Sequence, residues 1–364
     1  MDKKVGILTF HGAHNYGSCL QAYAMLTTIK NLGCESEIIN FRTEKQKDQY
    51  APLTKRKGLK YILKNGYFIL NLKKRKEKYR LFETFINKNL VGGGTEYSTE
   101  TELSQISNLY NYYICGSDQI WNIRPSDHSD AYFLPFAKGK KIAYAPSFGG
   151  MDSVDNDSKI KEYLMDFEAL SVREESGRKI ILDLLGKEVP VLPDPTLLLR
   201  KDDWDTITPK RIIEDDYILF YTLYATPKTI SAVKQISKQL DLPVIITTIT
   251  NQYDIVSGFV KKIETGPLEF LSLVKYAKYV CVCSFHGTVF SILMHKQFTV
   301  IDGMGDLRIS TLLRRLNLAN RSWNTQEPLD IQKCLETIDY DIVDVCIEDY
   351  RKDGLQYLKK ALDL

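Results

Sequence analysis

Short apolar runs alternate along this chain with longer segments in which apolar residues recur every three or four positions. Four of these runs predict buried strands in the N-terminal part: 5–10, 37–41, 112–116 and 141–145. Between the first two, Ala22, Met25 and Ile29 have helical spacing, and Gly33 marks the end of the helix. Such alternation predicts a parallel sheet that is covered by helices on both faces.

The same alternation continues toward the C-terminus. Further strands are predicted at 169–173, 189–192, 217–221, 244–248, 279–283 and 298–301, and helices at 158–167, 176–185, 227–240, 268–276, 289–294 and 308–316. The polar stretch 201–216 indicates a linker. We therefore predict an α/β fold with two Rossmann-like domains, residues 1–200 and 201–341, which face each other across a cleft. A last helix at 342–364 is expected to pack back on the N-terminal domain.

The composition narrows the class of protein. A chain of 364 residues exceeds what one core usually supports, and 44% hydrophobic with 26% charged residues is typical of a soluble globular protein. No apolar run approaches the ~20 residues that span a bilayer, and the first one is too short for a signal peptide. The seven scattered cysteines fit reduced core residues, so we expect a cytoplasmic protein. A net charge of +3 does not indicate nucleic-acid binding.

Positive charge is concentrated in one segment. Eleven Lys or Arg residues lie between Lys55 and Arg80, with Glu77 as the single acid, and apolar residues interrupt them. This pattern predicts a basic helical excursion at 52–90 from the N-terminal domain. A solvated helix is the favoured explanation, and the alternative is a surface for an anionic membrane or a lipid-linked polyanion.

The segment 283–288 joins a predicted strand to a predicted helix and carries Ser284, His286, Gly287 and Thr288. Unpaired N–H groups at such a junction can hold a phosphate or a carboxylate. Histidine is also the side chain best suited to move a proton near neutral pH. The junction therefore indicates either an anion site with a proton donor, or a capped helix whose histidine only packs.

Three other polar clusters follow predicted strands. The first contains His14, Asn15, Tyr16 and Gly17; the second contains Ser117, Asp118, Gln119, Trp121 and Asn122; the third contains Arg173. The second combines hydroxyl-binding groups with an aromatic platform, as sugar sites do, and Asp118 could accept a hydroxyl proton. Equally, Asp118 could be a cap and Trp121 a core residue. Arg173 is suited to a carboxylate or phosphate, or to a surface pair with a neighbouring glutamate.

Taken in order, these motifs resemble the polysaccharide pyruvyl transferase family. The matching segments are HNYG at 14–17, GSDQIWN at 116–122, APSFG at 145–149, SVRE at 171–174, the turn at 194–196, and SFHGT at 284–288. They run in the family's order over nearly the whole chain. The resemblance implies a GT-B-like fold of two Rossmann-like domains, which agrees with the prediction from the apolar pattern.

The resemblance also implies a reaction. Phosphoenolpyruvate (PEP) and a sugar with two suitable hydroxyls would give a cyclic pyruvate ketal and phosphate, in the synthesis of an exopolysaccharide or capsule. His286 is the expected proton donor, Arg173 the cation that holds PEP, and Asp118 the base for the acceptor. The remaining expected PEP ligands are Ser284, Gly287, Thr288 and Arg308. Arg308 enters as a substitute, because several family members carry Arg where this chain has Ser284.

The acceptor sugar is expected to contact His14, Asn15, Tyr16, Gly17, Ser117, Asp118, Gln119, Trp121 and Asn122. By analogy it is a sugar on polyprenyl diphosphate at the inner membrane face, which the basic excursion would suit. No cofactor and no metal are expected, with PEP serving as the donor substrate. Two alternatives remain: a nucleotide-sugar-dependent glycosyltransferase of the same fold, and a non-catalytic sugar- or anion-binding protein.

Overall fold

The computed structural model describes residues 3–53, 69, 71–125, 128–154, 158–223, 225–248 and 258–364. Ten strands lie in this part of the chain: β1 (Lys4–Leu8), β2 (Glu35–Ile38), β3 (Tyr112–Cys115), β4 (Lys140–Ala143), β5 (Ile218–Tyr221), β6 (Val244–Thr247), β7 (Val260–Lys261), β8 (Tyr279–Val282), β9 (Gln297–Ile301) and β10 (Ser322–Trp323). They form two sheets in which every pairing is parallel. The predicted α/β class with two parallel sheets is confirmed.

The helices of the described residues connect these strands. They are α1 (Tyr16–Asn31), α2 (Glu44–Tyr50), α3 (Leu72–Phe85), α4 (Glu100–Leu103), α5 (Ser158–Met165), α6 (Glu175–Leu185), α7 (Lys201–Ile207), α8 (Pro227–Leu240), α9 (Pro267–Tyr276), α10 (Phe285–Leu293), α11 (Leu307–Arg315), α12 (Ile331–Leu335) and α13 (Tyr340–Ala361). None of them is long and apolar enough to cross a bilayer. A π-helical turn, Ile86–Val91, continues α3.

The first sheet has the strand order β2-β1-β3-β4, and the second has β10-β9-β8-β5-β6-β7. We call residues up to 200 the first half and residues 201–341 the second half. Each inner strand is an apolar run buried on both faces, as parallel sheets require. Loops that carry polar residues follow β1, β3, β4 and β8, and so lie at the carboxyl edges of the two sheets.

An apolar contact joins the two halves beside these edges. The ring of Tyr16, from α1, stacks on Phe270 of α9 with 4.7 Å between centroids. The Tyr16 hydroxyl lies within hydrogen-bond distance of Thr247 (3.1 Å) and Thr265 (2.5 Å) in the second half. The carboxyl edges therefore face each other at close range, and the loops after β1 and β8 meet.

The C-terminal helix α13 returns to the first half. Arg351 donates to the carbonyl of Leu197 at 2.9 Å, and the Tyr357 hydroxyl donates to the carbonyl of Ala143 at 2.9 Å. Because Ala143 ends β4, this helix reaches the first sheet.

Three predictions about the elements were wrong. The runs 169–173 and 189–192 form isolated bridges, Ile142 to Ala169 and Val172 to Val191, instead of strands, and Pro190 has no N–H to extend the ladder. The expected linker begins with α7, because Trp204 is fully buried against Phe290 and anchors a helix there. The short edge strands β7 and β10 were not predicted.

The predicted basic excursion lies partly outside the described residues, which exclude 54–68 and 70. Its described part is helical as α3, and not every cation of this helix faces outward. Lys78 lies over the ring of Tyr16 and donates to the carbonyl of Thr248 in the second half at 2.7 Å. Burial lowers the pKa of Lys78 to about 7, and its amine serves contact between the halves.

Candidate functional site

The junction between β8 and α10 is a capped helix start. Ser284 Oγ accepts the N–H of Gly287 at 3.1 Å, and His286 lies buried in the first turn. Gly287 packs on Tyr221, since a Cβ there would lie 2.7 Å from Tyr221 Cδ1. Thr288 is fully buried and donates to the carbonyl of Ser284 at 2.9 Å. Ser284, Gly287 and Thr288 thus cap and pack the helix, and their contact with PEP stays a prediction.

Asp194 is the group that His286 faces. His286 Nε2 lies 3.4 Å from Asp194 Oδ2, and the same oxygen accepts Arg173 Nη1 at 2.8 Å and Ser117 Oγ at 3.3 Å. The other oxygen, Oδ1, accepts the N–H of Thr196 at 3.0 Å and its hydroxyl at 2.7 Å. One buried carboxylate therefore connects an arginine of the first half with a histidine of the second.

Arg173 is almost fully buried in the centre of this cluster. Its guanidinium carbon lies 4.6 Å from the centroid of the Phe285 ring. Besides Asp194, it faces Asp118 (Nη2 to Oδ1, 3.9 Å) and Glu174 (Nε to Oε2, 3.9 Å). Its Nε and Nη2 atoms have no hydrogen-bond partner. The guanidinium thus uses one nitrogen in a strong ion pair and leaves two donors for a ligand.

The pKa values of two of the surrounding carboxylates are shifted in opposite directions. Burial alone would raise the pKa of Asp194, but the charges of His286 and Arg173 and the N–H of Thr196 hold it well below its usual range. Burial raises the pKa of Glu174 in spite of Arg173 and its hydrogen bonds with Ser147 and the N–H of Phe148. Asp194 therefore stays ionised, whereas Glu174 takes up a proton more readily than an exposed glutamate.

Arg308, the expected substitute cation, lies close to the cluster but is already paired. Its Nε and Nη2 donate to the two oxygens of Asp306 at 2.9 and 2.5 Å. Its charge opposes the rise that burial causes in the pKa of Glu174. Arg308 therefore adds a second positive charge near the site, while Asp306 occupies its Nε and Nη2 atoms.

Asp118 forms the link to a pocket of the first half. Its backbone has φ of 72°, in the left-handed region, and both of its side-chain oxygens accept hydrogen bonds. Oδ2 accepts Ser18 Oγ at 2.5 Å, and Oδ1 accepts the N–H of Gln119 at 2.8 Å. The carboxylate lies between Arg173 on one side and the pocket on the other.

The pocket has a volume of about 170 Å³ and an opening to solvent. Its lining residues are Phe10, Ala13, Asn15, Ser18, Gln46, Tyr50, Asp118, Gln119, Asn122, Pro125 and His128. Amide, hydroxyl and carboxylate groups share this wall with two aromatic rings, which is the mixture that sugar binding uses. Four of the predicted acceptor residues line it: Asn15, Asp118, Gln119 and Asn122.

The structure keeps other predicted acceptor residues out of this pocket. Trp121 is fully buried, with its ring stacked on Phe133, so the prediction that its face meets a sugar was wrong. Tyr16 and Ser117 are buried as well, with their hydroxyls bonded to protein groups. His14 is held by Glu83 at 2.7 Å.

Gly17 meets the ring of His286. A Cβ at Gly17 would lie 2.0 Å from His286 Nδ1, so only glycine permits this approach. Gly17, in the first turn of α1, therefore covers the histidine instead of lining the acceptor pocket. In the described residues, no group of three or more His, Cys, Asp or Glu side chains is arranged to hold a metal ion.

Several residues at the site were not among those predicted to act on a ligand, namely Ser18, Gln46, Tyr50, His128, Glu174 and Asp194, although Ser18, Glu174 and Asp194 lie in the predicted motifs. Asp194 carried one signal, because an aspartate before Pro195 at the end of an apolar run forms a turn. Gln46 and Tyr50 carried none. They lie on α2, and only the tertiary fold brings this helix to the loop after β3.

Comparison with known proteins identifies one matching family and several solved structures that resemble this chain. A family model described as polysaccharide pyruvyl transferase matches residues 15–303. No curated protein sequence shows a significant match. A putative UDP-N-acetylglucosamine 2-epimerase from Listeria monocytogenes is 10% identical, with a TM-score of 0.48, covering 100% of this chain and 90% of its own.

Two further solved structures show a similar level of likeness. The Methanocaldococcus jannaschii UDP-GlcNAc 2-epimerase, in complex with UDP-GlcNAc and UDP, is 12% identical with a TM-score of 0.47, and 99% of each chain is covered. MurG from Acinetobacter baumannii is 10% identical with a TM-score of 0.41, again over 99% of each chain.

Proposed function

Because the chain belongs to the polysaccharide pyruvyl transferase family, we propose that it transfers the enolpyruvyl group of PEP to two hydroxyls of a sugar in a cell-surface polysaccharide precursor. The observation that carries this proposal is the position of Arg173. A buried guanidinium with two unpartnered nitrogens shares the Asp194 carboxylate with a candidate proton donor, His286, and faces Asp118, a carboxylate that borders a polar pocket.

The donor would bind through its negative charges. PEP carries a carboxylate and a phosphate, and Nε and Nη2 of Arg173 form a fork that fits either group. Arg308 would add positive charge without direct contact, because Asp306 takes its own fork. Since Gly17 covers His286 and the fork of Arg173 is buried, we infer that PEP enters when the first turn of α1 moves away from α10.

The chemistry needs a proton donor and a base. His286 would give a proton to the methylene carbon of PEP, so that the methyl group forms and C2 becomes electrophilic. One sugar hydroxyl would then attack C2 and lose its proton to Asp118. The second hydroxyl would attack C2 as the bond from C2 to the phosphate oxygen breaks. The proton of the second hydroxyl leaves with the phosphate as hydrogen phosphate, the proton on Asp118 replaces the one that His286 gave, and the ketal keeps the carboxylate.

The acceptor would occupy the pocket beside Asp118. Asn15, Gln119 and Asn122 offer hydrogen bonds to ring hydroxyls, and Phe10 and Tyr50 offer apolar contact in place of the buried Trp121. The proposal requires no cofactor other than PEP as the donor. We do not assign the sugar, because these groups recognise hydroxyls in general.

A lipid-linked acceptor would bring the protein to an anionic membrane surface. Lys73 and Lys76 are exposed on α3 and suit that contact. Sedimentation with vesicles of anionic phospholipid tests this part, with both lysines changed to glutamate as the comparison. If the wild-type chain stays in solution, the membrane contact is refuted and the pyruvyl transfer is not.

His286→Gln tests the proposed chemistry. We expect turnover to fall by about 10²–10⁴-fold, while PEP affinity changes much less, because the imidazole acts on the reaction and not on the anion. The rate of phosphate release from ¹³C-labelled PEP, measured with a panel of glycan acceptors, gives the turnover. The ¹³C label in the product identifies the ketal.

His295→Gln is the matched control, since that histidine is half-exposed and pairs with Asp344 on the surface. Equal turnover in wild type and His286→Gln would remove His286 from the reaction. Transfer from a nucleotide sugar without any use of PEP would instead favour a glycosyltransferase.

A further inference from the structure

We propose that Asp194 is the positioning residue of the site, which turns Arg173 and His286 toward one ligand. No role was assigned to it from the sequence, and it does not line the pocket. The proposal rests on the proposed function for the identity of the ligand. Its geometric part concerns only side chains of this chain.

The orientation of the Asp194 carboxylate is set by its own turn. Oδ1 accepts both the N–H and the hydroxyl of Thr196, two residues further along the chain. Two donors on one oxygen fix the plane of the carboxylate before any other group approaches. Oδ2 must then point toward Arg173 and His286, and it contacts both.

Pairing with Asp194 decides which edge of Arg173 remains for a ligand. A guanidinium offers a side-on fork that consists of Nε–H and one terminal N–H, and that fork matches the two oxygens of a carboxylate or phosphate. Asp194 takes Nη1, outside this fork, and leaves Nε and Nη2 unpartnered. The Phe285 ring lies against one face of the guanidinium, which restricts rotation.

The same oxygen determines where His286 lies relative to the fork. Arg173 belongs to the first half and His286 to the second, so no local structure fixes their separation. Arg173 Nη1 donates to Asp194 Oδ2 at 2.8 Å, and His286 Nε2, which has no hydrogen-bond partner, faces the same oxygen at 3.4 Å, so the two nitrogens lie close together. An anion bound at the fork would thus lie on the same guanidinium that Asp194 brings close to the imidazole, and proton transfer to PEP requires such proximity.

Asp194→Asn is the sharpest test, because it keeps the shape and changes the direction of hydrogen bonding. The amide oxygen must still face the N–H of Thr196, so the amide NH₂ faces Arg173 Nη1 and His286 Nε2. Donor then meets donor at Arg173, and the guanidinium turns. Asp302→Asn is the matched control, since the Asp302 carboxylate accepts the N–H and hydroxyl of Thr325 and has an exposed position.

Two readouts separate positioning from general stability. The imidazole NMR signals of His286, assigned by their loss in His286→Gln, should move in Asp194→Asn and stay in place in Asp302→Asn. Calorimetric titration with PEP should show at least a tenfold loss of affinity in Asp194→Asn. Combined with Arg173→Lys, the loss should be clearly less than the product of the two single effects, since both act on one fork.

Each outcome decides a part of the proposal. If the His286 signals do not move in Asp194→Asn, the proposal is overturned. If the loss of PEP affinity in the double variant equals the product of the two single losses, Asp194 does not act through Arg173. Moved signals in a chain that never binds PEP refute the proposed function and still support the positioning of His286. If Asp194→Asn does not fold, Thr196→Val replaces it. That variant removes the hydroxyl that donates to Oδ1. It should move the His286 signals and weaken PEP binding in the same direction as Asp194→Asn, but by less. If neither readout changes, the proposal is overturned.

Discussion

At the scale of single residues, the contact between Gly17 and His286 is the tightest feature of the site. Gly17 comes from the first half and His286 from the second, and a Cβ on Gly17 would lie 2.0 Å from the imidazole. The imidazole has little room to move, because Asp194 lies on its other nitrogen. The site therefore depends on the absence of one methyl group.

Gly17→Ala should displace His286 and reduce turnover strongly. We expect a loss of about 1–3 kcal/mol in the free energy of unfolding, as for overpacked positions, together with a loss of activity that exceeds this destabilisation. Chemical denaturation and phosphate release measure the two effects. Gly305→Ala is the control, since a Cβ there meets no atom within 4 Å. Full activity in Gly17→Ala would contradict the observed contact.

The sequence was sufficient to find His286, Arg173 and Asp118 as candidates, because each follows a predicted strand and has a chemically useful side chain. Their roles remain predictions, although the structure brings them together around Asp194. The sequence was not sufficient for Trp121, because both a platform and a core residue fit its pattern. Burial against Phe133 decides for the core.

At the scale of elements, one carboxylate joins α3 to the first half beside the buried rings of Phe82 and Phe85. Glu83 of α3 accepts two hydrogen bonds from Arg42, at 2.7 and 3.0 Å, and lies 2.7 Å from His14. Burial alone would raise the pKa of Glu83, but the hydrogen bonds from His14 and Arg42 lower it to about 2. The helix therefore depends on an ionised Glu83.

Glu83→Gln should destabilise the protein in a pH-dependent manner. The folded-state pKa of Glu83 is depressed, so its stabilisation is fully present above pH 4.5 and is lost as the pH falls toward about 2. We expect a loss of about 2 kcal/mol in the free energy of unfolding at pH 7, and convergence with wild type at low pH. Denaturant unfolding across this range measures it.

Glu77→Gln on the same helix is the control, because Glu77 pairs with Arg80 on the exposed surface. A constant difference between Glu83→Gln and wild type at all pH values would show that the charge of Glu83 is not what stabilises α3.

Element boundaries were predictable where the chain carries explicit caps. The predicted helix 227–240 agrees with α8, which starts at Pro227 after the Thr226 cap and ends before Asp241 in a left-handed conformation. The strands at 169–173 and 189–192 failed because apolar runs do not reveal whether a neighbouring strand is available. The edge strands β7 and β10 have two residues each, too few for a periodic signal.

At the scale of the whole molecule, the candidate site exists only where the two halves meet. Arg173 and Asp118 belong to the first half and His286 to the second, and α13 links back from the second half to the first. The alternation of strands and helices predicted two sheets. It could not predict which loops touch, because the contact between Gly17 and His286 joins residues far apart in the sequence.

Calorimetric titration with PEP tests the central claim most directly, with wild type compared with Arg173→Lys. The lysine keeps a cation for Asp194 but removes the fork of Nε and Nη2, so we predict binding in wild type and at least a tenfold weaker affinity in the variant. Arg178→Gln, an exposed arginine that pairs with Glu175, is the control and should bind PEP as wild type does. Equal PEP affinity in wild type and Arg173→Lys, or no binding of PEP beside tight binding of a nucleotide sugar, would contradict the account.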